Sequence, residues 1–345
     1  MIEKKDNFNF IRLCLALSIL FVHAAGISNS NELSFIFKYL NGDIVVKCFF
    51  VISGYLVALS FRRSDVTEFF IKRARRILPG YFMVVAIMLF LGFLLTRLTK
   101  MDFILNQGTW SYFLFNSIFL GFMHPSLPGV FESNPITAMD GSLWTIKSEL
   151  ILYLITPLFV ARTGRRVIPF LIAYCVSIAW VYWFSVFHIT PLSRTLSLQF
   201  VGMASYYFLG AFIAINRLGE KTIFFALVLS SLLWFFTDGS AIRIIVEPFL
   251  ITSAVLFCCL YIPNVGFTIG SVDISYGVYL YNFPVVQVLI SLGLFRTHPY
   301  MALLVSVFVS CAIAYISWVF VEHQFLKKGR GQFGKRKILY VKAKN

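Results

Sequence analysis

Charge is scarce in this chain of 345 residues. Asp, Glu, Lys and Arg make up 13% and apolar residues 59%, whereas a soluble domain carries about 25% charged residues. That deficit excludes an ordinary soluble domain and reads as a polytopic membrane protein. Cysteine is sparse and unpatterned: six residues (14, 48, 175, 258, 259, 311) lie in or beside apolar segments. Without CxxC pairs or His-rich spacing they suggest neither a disulfide framework nor a zinc site, and no metal is expected. They read as small core residues. The chain lacks an internal repeat, which counts against an inverted-repeat transporter. It also lacks an A-x-A-like cleavage site, so its first apolar run reads as a retained helix. No appended soluble domain is expected at either end.

What is abundant is long apolar sequence and phenylalanine, with 39 Phe. Windows of about 20 apolar residues fall near 8–28, 44–61, 78–97, 143–161, 167–187, 198–216, 222–237, 242–262, 275–295 and 300–321. The expected fold class is therefore all-α, with about ten transmembrane helices. The seventh window is short. Segment 110–122 is apolar but shorter than a span, so it could be re-entrant, interfacial or an eleventh crossing. The net charge of +15 would suit nucleic acid, but its placement argues otherwise. Arg62, Arg63, Lys72, Arg73, Arg75, Arg76, Arg162, Arg165, Arg166, Arg217, Lys221 and a basic tail fall on one side. Only a thin scatter falls on the other. The positive-inside rule then places both termini in the cytoplasm, with a transmembrane domain at 1–326 and a cytoplasmic tail at 327–345.

Arg12 and His23 lie inside the first apolar run. Ionisable side chains at membrane depth mark functional sites. Eleven residues make about three helical turns, so the two share one face about 16 Å apart. The plain alternative is that each snorkels to its own membrane surface. Glu149 lies about 10 Å inside the fourth window, at a depth similar to His23, where a carboxylate could orient an imidazole. It could equally pair with Lys147 or with the helix N-terminus. Ser142 can cap that helix, and Trp144 would sit at the interface. Arg73 and Arg76, a turn apart before Pro79-Gly80 at the membrane surface, suit bidentate phosphate recognition. Positive-inside charge alone would also account for them. Ser53-Gly54 permits close approach of another helix or of a ligand. Glu247-Pro248 could mark a kink, and Glu322 and His323 lie near the inner headgroups.

Together these residues resemble the membrane-bound acyltransferase-3 family, in its stand-alone bacterial branch that O-acetylates surface polysaccharides. NFNFIRLCLALSILFVHA matches an Arg-x10-His element at Arg12 and His23. FFVISGYL matches a second motif at 49–56, and KRARRILPGY an Arg-x-x-Arg element at Arg73 and Arg76. LPGVFESNP followed by GSLWTIKSE resembles the loop and Trp motif of the O-antigen acetylase branch. SYGVYLYNFPVVQ resembles a late Ser-Tyr-Gly-x-Tyr segment. Many members carry His where this chain has Asn282.

The resemblance implies a multi-pass bacterial inner-membrane enzyme. Its donor would be acetyl-CoA from the cytoplasm, and its acceptor a lipid-linked or nascent surface glycan, O-antigen foremost. Arg73 and Arg76, with Ser53 and Gly54, would hold the donor. Ser142, Trp144 and Asn282 would face the acceptor. His23 would act as general base, with Arg12 and Glu149 beside it in catalysis. Rival readings are another acyl group such as succinyl, or another acceptor such as an exopolysaccharide, peptidoglycan or a macrolide. A transporter or flippase without acyl transfer, and a purely structural membrane protein, are the rivals from other classes.

Overall fold

The structure is a computed structural model and describes residues 7–163, 167–190, 192–263 and 272–326. The expected basic tail, together with Arg165 and Arg166, lies outside the described residues. Among the described residues there is no strand. The protein is an all-helical, polytopic membrane protein. The principal helices are α1 (Phe8–Ser28), α2 (Gly42–Arg62), α3 (Val66–Leu95), α4 (Gln107–Ser117), α5 (Trp144–Thr163) and α6 (Ile168–Tyr182). They continue as α7 (Phe200–Asn216), α8 (Glu220–Phe236), α9 (Arg243–Leu260), α10 (Ser275–Ser291) and α11 (Pro299–Ser317). All but α4 fall on the apolar windows. Among the described residues seven helical stretches, including α1, α2, α3, α9 and α11, are long and apolar enough to cross a membrane.

One boundary differs from expectation, and the open reading of segment 110–122 is narrowed. Helix α3 begins at Val66 rather than near residue 78, so Arg73 and Arg76 belong to the same helix as the third apolar window. A hydropathy window cannot see that start, because the first turns are charged; Glu68 and Lys72 pair there at 2.8 Å, four residues apart. In the 110–122 segment the helix is α4, of 11 residues. That is about 16 Å, half the hydrocarbon thickness, and too short to cross.

Pro79, Pro157, Pro248 and Pro284 all lie inside helices. Such prolines are tolerated where neighbouring helices re-satisfy the backbone.

The chain divides into two compact units. The first comprises Met1–Leu15, Gly42–Val66 and Lys147–Thr268, and the second Ala16–Asn41, Thr67–Ile146 and Ile269–Asn345. In the first unit α2 packs closely against α7. A Cβ on Gly54 would land on the Tyr207 carbonyl oxygen, and one on Gly210 would land on that of Val51. Backbone cannot retreat as a flexible side chain can, so these glycines are demanded by the packing. Gly54→Ala is expected to destabilise by about 1–3 kcal/mol, read as a lower unfolding temperature in detergent. Lys47 and Glu247 join α2 to α9 at 2.7 Å.

In the second unit Ala24, Ala25, Ile27, Phe283, Val286, Leu289 and Ala302 form one apolar cluster from α1, α10 and α11. Gly277 lets α10 approach α11, for its Cβ would stand 2.8 Å from that of Ala314. The long segment before α5 is tied down by a wholly buried amide. Gln287 Nε2 donates to the carbonyls of Ile136 and Ala138, both at 2.7 Å, and Gln287 Oε1 accepts from Asn134 at 2.9 Å.

Candidate active site

His23 lies on α1 within the second unit, where its Nδ1 stands 2.6 Å from Asn282 Oδ1 of α10. The amide orientation follows from its other bonds. Asn282 Nδ2 donates to the carbonyls of Val278 at 3.0 Å and Tyr279 at 2.6 Å. Turning the amide over would set its oxygen against two carbonyl oxygens. Oδ1 therefore faces the imidazole, and an amide oxygen can only accept. It follows that Nδ1 carries the proton and Nε2 carries the lone pair. Phe283 braces the ring edge-on, with centroids 5.2 Å apart. An imidazole with a fixed tautomer and a lone pair on Nε2 is equipped to take a proton.

The turn before α5 seats against the same stretch of α10. Gly141 has no room for a Cβ, which would strike the Phe283 ring. Asp140 Oδ1 accepts from the Ser142 backbone N–H at 2.7 Å and from its hydroxyl at 2.6 Å. Ser142, expected as a helix cap, thus donates its hydroxyl to Asp140. Thr145 Oγ1 meets the Tyr279 hydroxyl at 2.8 Å. Trp144 is half-buried at the first position of α5.

Sequence alone does not single out Asp140, because Asp-Gly-Ser reads as an ordinary turn. It is buried, and its Oδ2 makes no hydrogen bond. Burial pushes its carboxyl up to about 7, against the lowering effect of the two Ser142 bonds. A carboxyl raised in the fold above its unfolded value binds its proton more tightly when folded. Stability is therefore greatest below the unfolded value of about 4, falls as pH rises towards 7, and levels off above it. Asp140→Asn keeps an acceptor for Ser142 and cannot ionise. It is expected to flatten that slope and to raise the unfolding temperature at pH 8 relative to wild type.

In the first unit Glu149 Oε1 accepts from Ser53 Oγ at 2.6 Å and from the Tyr153 hydroxyl. Ser53 and Tyr153 also meet at 3.0 Å. The side-chain partner at His23 Nδ1 is Asn282. Ser53 is held by Glu149, and Gly54 by the backbone of α7. Arg12 is half-buried on α1. Arg76, in the second unit, is engaged by Asp273 at 2.6 Å and Glu322 at 3.7 Å. His23, Asn282, Ser142, Trp144, Arg73 and Arg76 fall in the second unit, and Arg12, Glu149, Ser53 and Gly54 in the first.

The family profile described as "Acyltransferase domain" matches residues 5–322. The chain belongs to the acyltransferase-3 family. Among curated relatives, it is 31% identical over 341 residues to an "O-acetyl transferase" of Shigella phage Sf6. That match covers 94% of this chain and 97% of the relative. It is 26% identical over 353 residues to "Nodulation protein 10" of Rhizobium leguminosarum bv. viciae, covering 94% of each. No solved structure matches the chain.

Proposed function

We propose that this acyltransferase-3 protein moves an acetyl group from cytoplasmic acetyl-CoA to a sugar hydroxyl of a bacterial surface polysaccharide, O-antigen foremost, in the inner membrane. The observation that carries the reading is the His23–Asn282 pair, which leaves a Nε2 lone pair in a chain whose relative is an O-acetyl transferase. In the reaction, His23 Nε2 takes the proton of the acceptor hydroxyl as its oxygen attacks the thioester carbonyl. The carbon–sulfur bond breaks, and the proton passes to the departing CoA thiolate. Atoms and charge balance without a covalent enzyme intermediate. The Asn282 oxygen accepts from Nδ1–H throughout, so the imidazolium keeps its orientation while it is charged.

The donor's pyrophosphate and 3′-phosphate call for cations. The basic face of α3 supplies them, on the side that the Lys and Arg distribution assigns to the cytoplasm. Glu149, with Ser53 and Tyr153, offers a second proton-holding group, and Arg12 a fixed positive charge for a polarised carbonyl.

The test is transfer of radiolabelled acetyl from acetyl-CoA into polysaccharide by membranes that express the protein. Label in the glycan supports the reading. Label from succinyl-CoA alone would replace the acyl group. Movement of a glycan across the membrane without acyl-CoA consumption would favour the transporter.

A further inference from the structure

Arg76 differs from a phosphate ligand in what already surrounds it. Its Nη2 meets Asp273 Oδ2 at 2.6 Å, and its Nη1 lies 3.7 Å from Glu322 Oε2. The guanidinium carbon lies 5.8 Å from the centroid of the Tyr276 ring. The side chains of Arg76, Asp273 and Glu322 are 17%, 14% and 1% exposed. A guanidinium already matched by two carboxylates has little charge to offer, and those carboxylates oppose a phosphate dianion at the same place.

Each of these partners of Arg76 is also a structural joint. Asp273 Oδ1 accepts from the Ser275 backbone N–H at 3.2 Å and from its hydroxyl at 2.6 Å, so the same carboxylate braces the start of α10. The Tyr276 hydroxyl donates to the Ile77 carbonyl at 3.0 Å, and its ring would stand 2.7 Å from a Cβ on Gly80. Glu322 closes a wide π-helical turn, Trp318–Glu322, that follows α11. Such turns are uncommon and recur where a helix serves a particular role. A carboxylate this buried depends on a neighbouring cation.

We propose that Arg76 is a positioning residue, a clamp that holds α3 to the start of α10 and the end of α11, and that the donor's phosphates are held by other cations. The donor half of this statement rests on the acetyl-CoA reading above, and the clamp half does not. Removing the cation takes from two carboxylates the charge that offsets them, so removing one of those carboxylates as well restores part of what was lost.

The experiment compares the purified full chain in detergent as wild type, Arg76→Gln, Glu322→Gln and the Arg76→Gln/Glu322→Gln double variant. Unfolding temperature and KM for acetyl-CoA are both measured. Arg76→Gln is expected to lower the unfolding temperature by roughly 5 °C or more, or to prevent accumulation. The double variant regains at least half of that loss, and its KM for acetyl-CoA stays within about threefold of wild type while kcat falls. The proposal is overturned if Arg76→Gln unfolds at the wild-type temperature. It is equally overturned if the double variant regains stability and its KM rises tenfold. A wild-type protein that does not use acetyl-CoA would remove the donor reading, and the unfolding temperatures alone would then decide the clamp.

Discussion

Replacing His23 with alanine is expected to cut acetyl transfer by about 10²- to 10⁴-fold, the range contributed by a positioned general base, with the protein still inserted and accumulating. The two halves of that expectation have separate grounds. Chemically, an aliphatic side chain has no lone pair to take the hydroxyl proton, and the attack on the thioester would have to release a free proton into an apolar setting. Structurally, the substitution is mild. Asn282 keeps both Nδ2 bonds to Val278 and Tyr279, and only its Oδ1 loses a donor. One unsatisfied neutral acceptor costs about 1–3 kcal/mol, and the edge contact with Phe283 adds a little more. Radiolabel incorporated into glycan, normalised to the amount of protein in the membrane, checks the result. Normal incorporation by His23→Ala would end the general-base role and make Glu149 the next group to test.

The apolar helices were legible because a bilayer imposes a length on apolar runs that needs no knowledge of neighbours. The beginning of α3 was not, since its first turns hold charge by side-chain pairing and are invisible to hydropathy. His23 was legible for a related reason: an ionisable group inside an apolar run stands out. Its partner was not, because depth along a helix carries no information about which helix lies alongside. Helix rise suggests Glu149 as a neighbour from the sequence, yet the group at Nδ1 is Asn282, 259 residues away. Asp140 was hidden in Asp-Gly-Ser, a sequence as suitable for an exposed turn as for a buried one. Gln287 was hidden in Val-Val-Gln-Val-Leu, where a single amide in an apolar helix says nothing of the carbonyls it meets. Motifs named candidate residues, while the hydrogen-bond partners had to come from three dimensions.

Asn282 supplies the second large effect. Asn282→Leu is expected to lower kcat by roughly 10-fold or more, with KM for acetyl-CoA nearly unchanged. One lost hydrogen bond of about 1 kcal/mol accounts for most of a tenfold change, and the lost tautomer adds to it. Without an acceptor at Nδ1 the imidazole can place its proton on either nitrogen, and the form with the proton on Nε2 is no base toward the hydroxyl. Asn282→His separates this role from packing. A neutral imidazole at that position presents a lone pair as the amide oxygen does, so the Asn282→His variant should retain far more activity than Asn282→Leu, despite its different shape. The nitrogen NMR shifts of His23 add a readout that a packing defect would not move, because protonated and unprotonated ring nitrogens resonate far apart. Wild type and Asn282→His should show the proton on Nδ1, and Asn282→Leu a mixture of the two tautomers. If the leucine and histidine variants lose activity equally and neither changes the tautomer, Asn282 supports the helix and not the base.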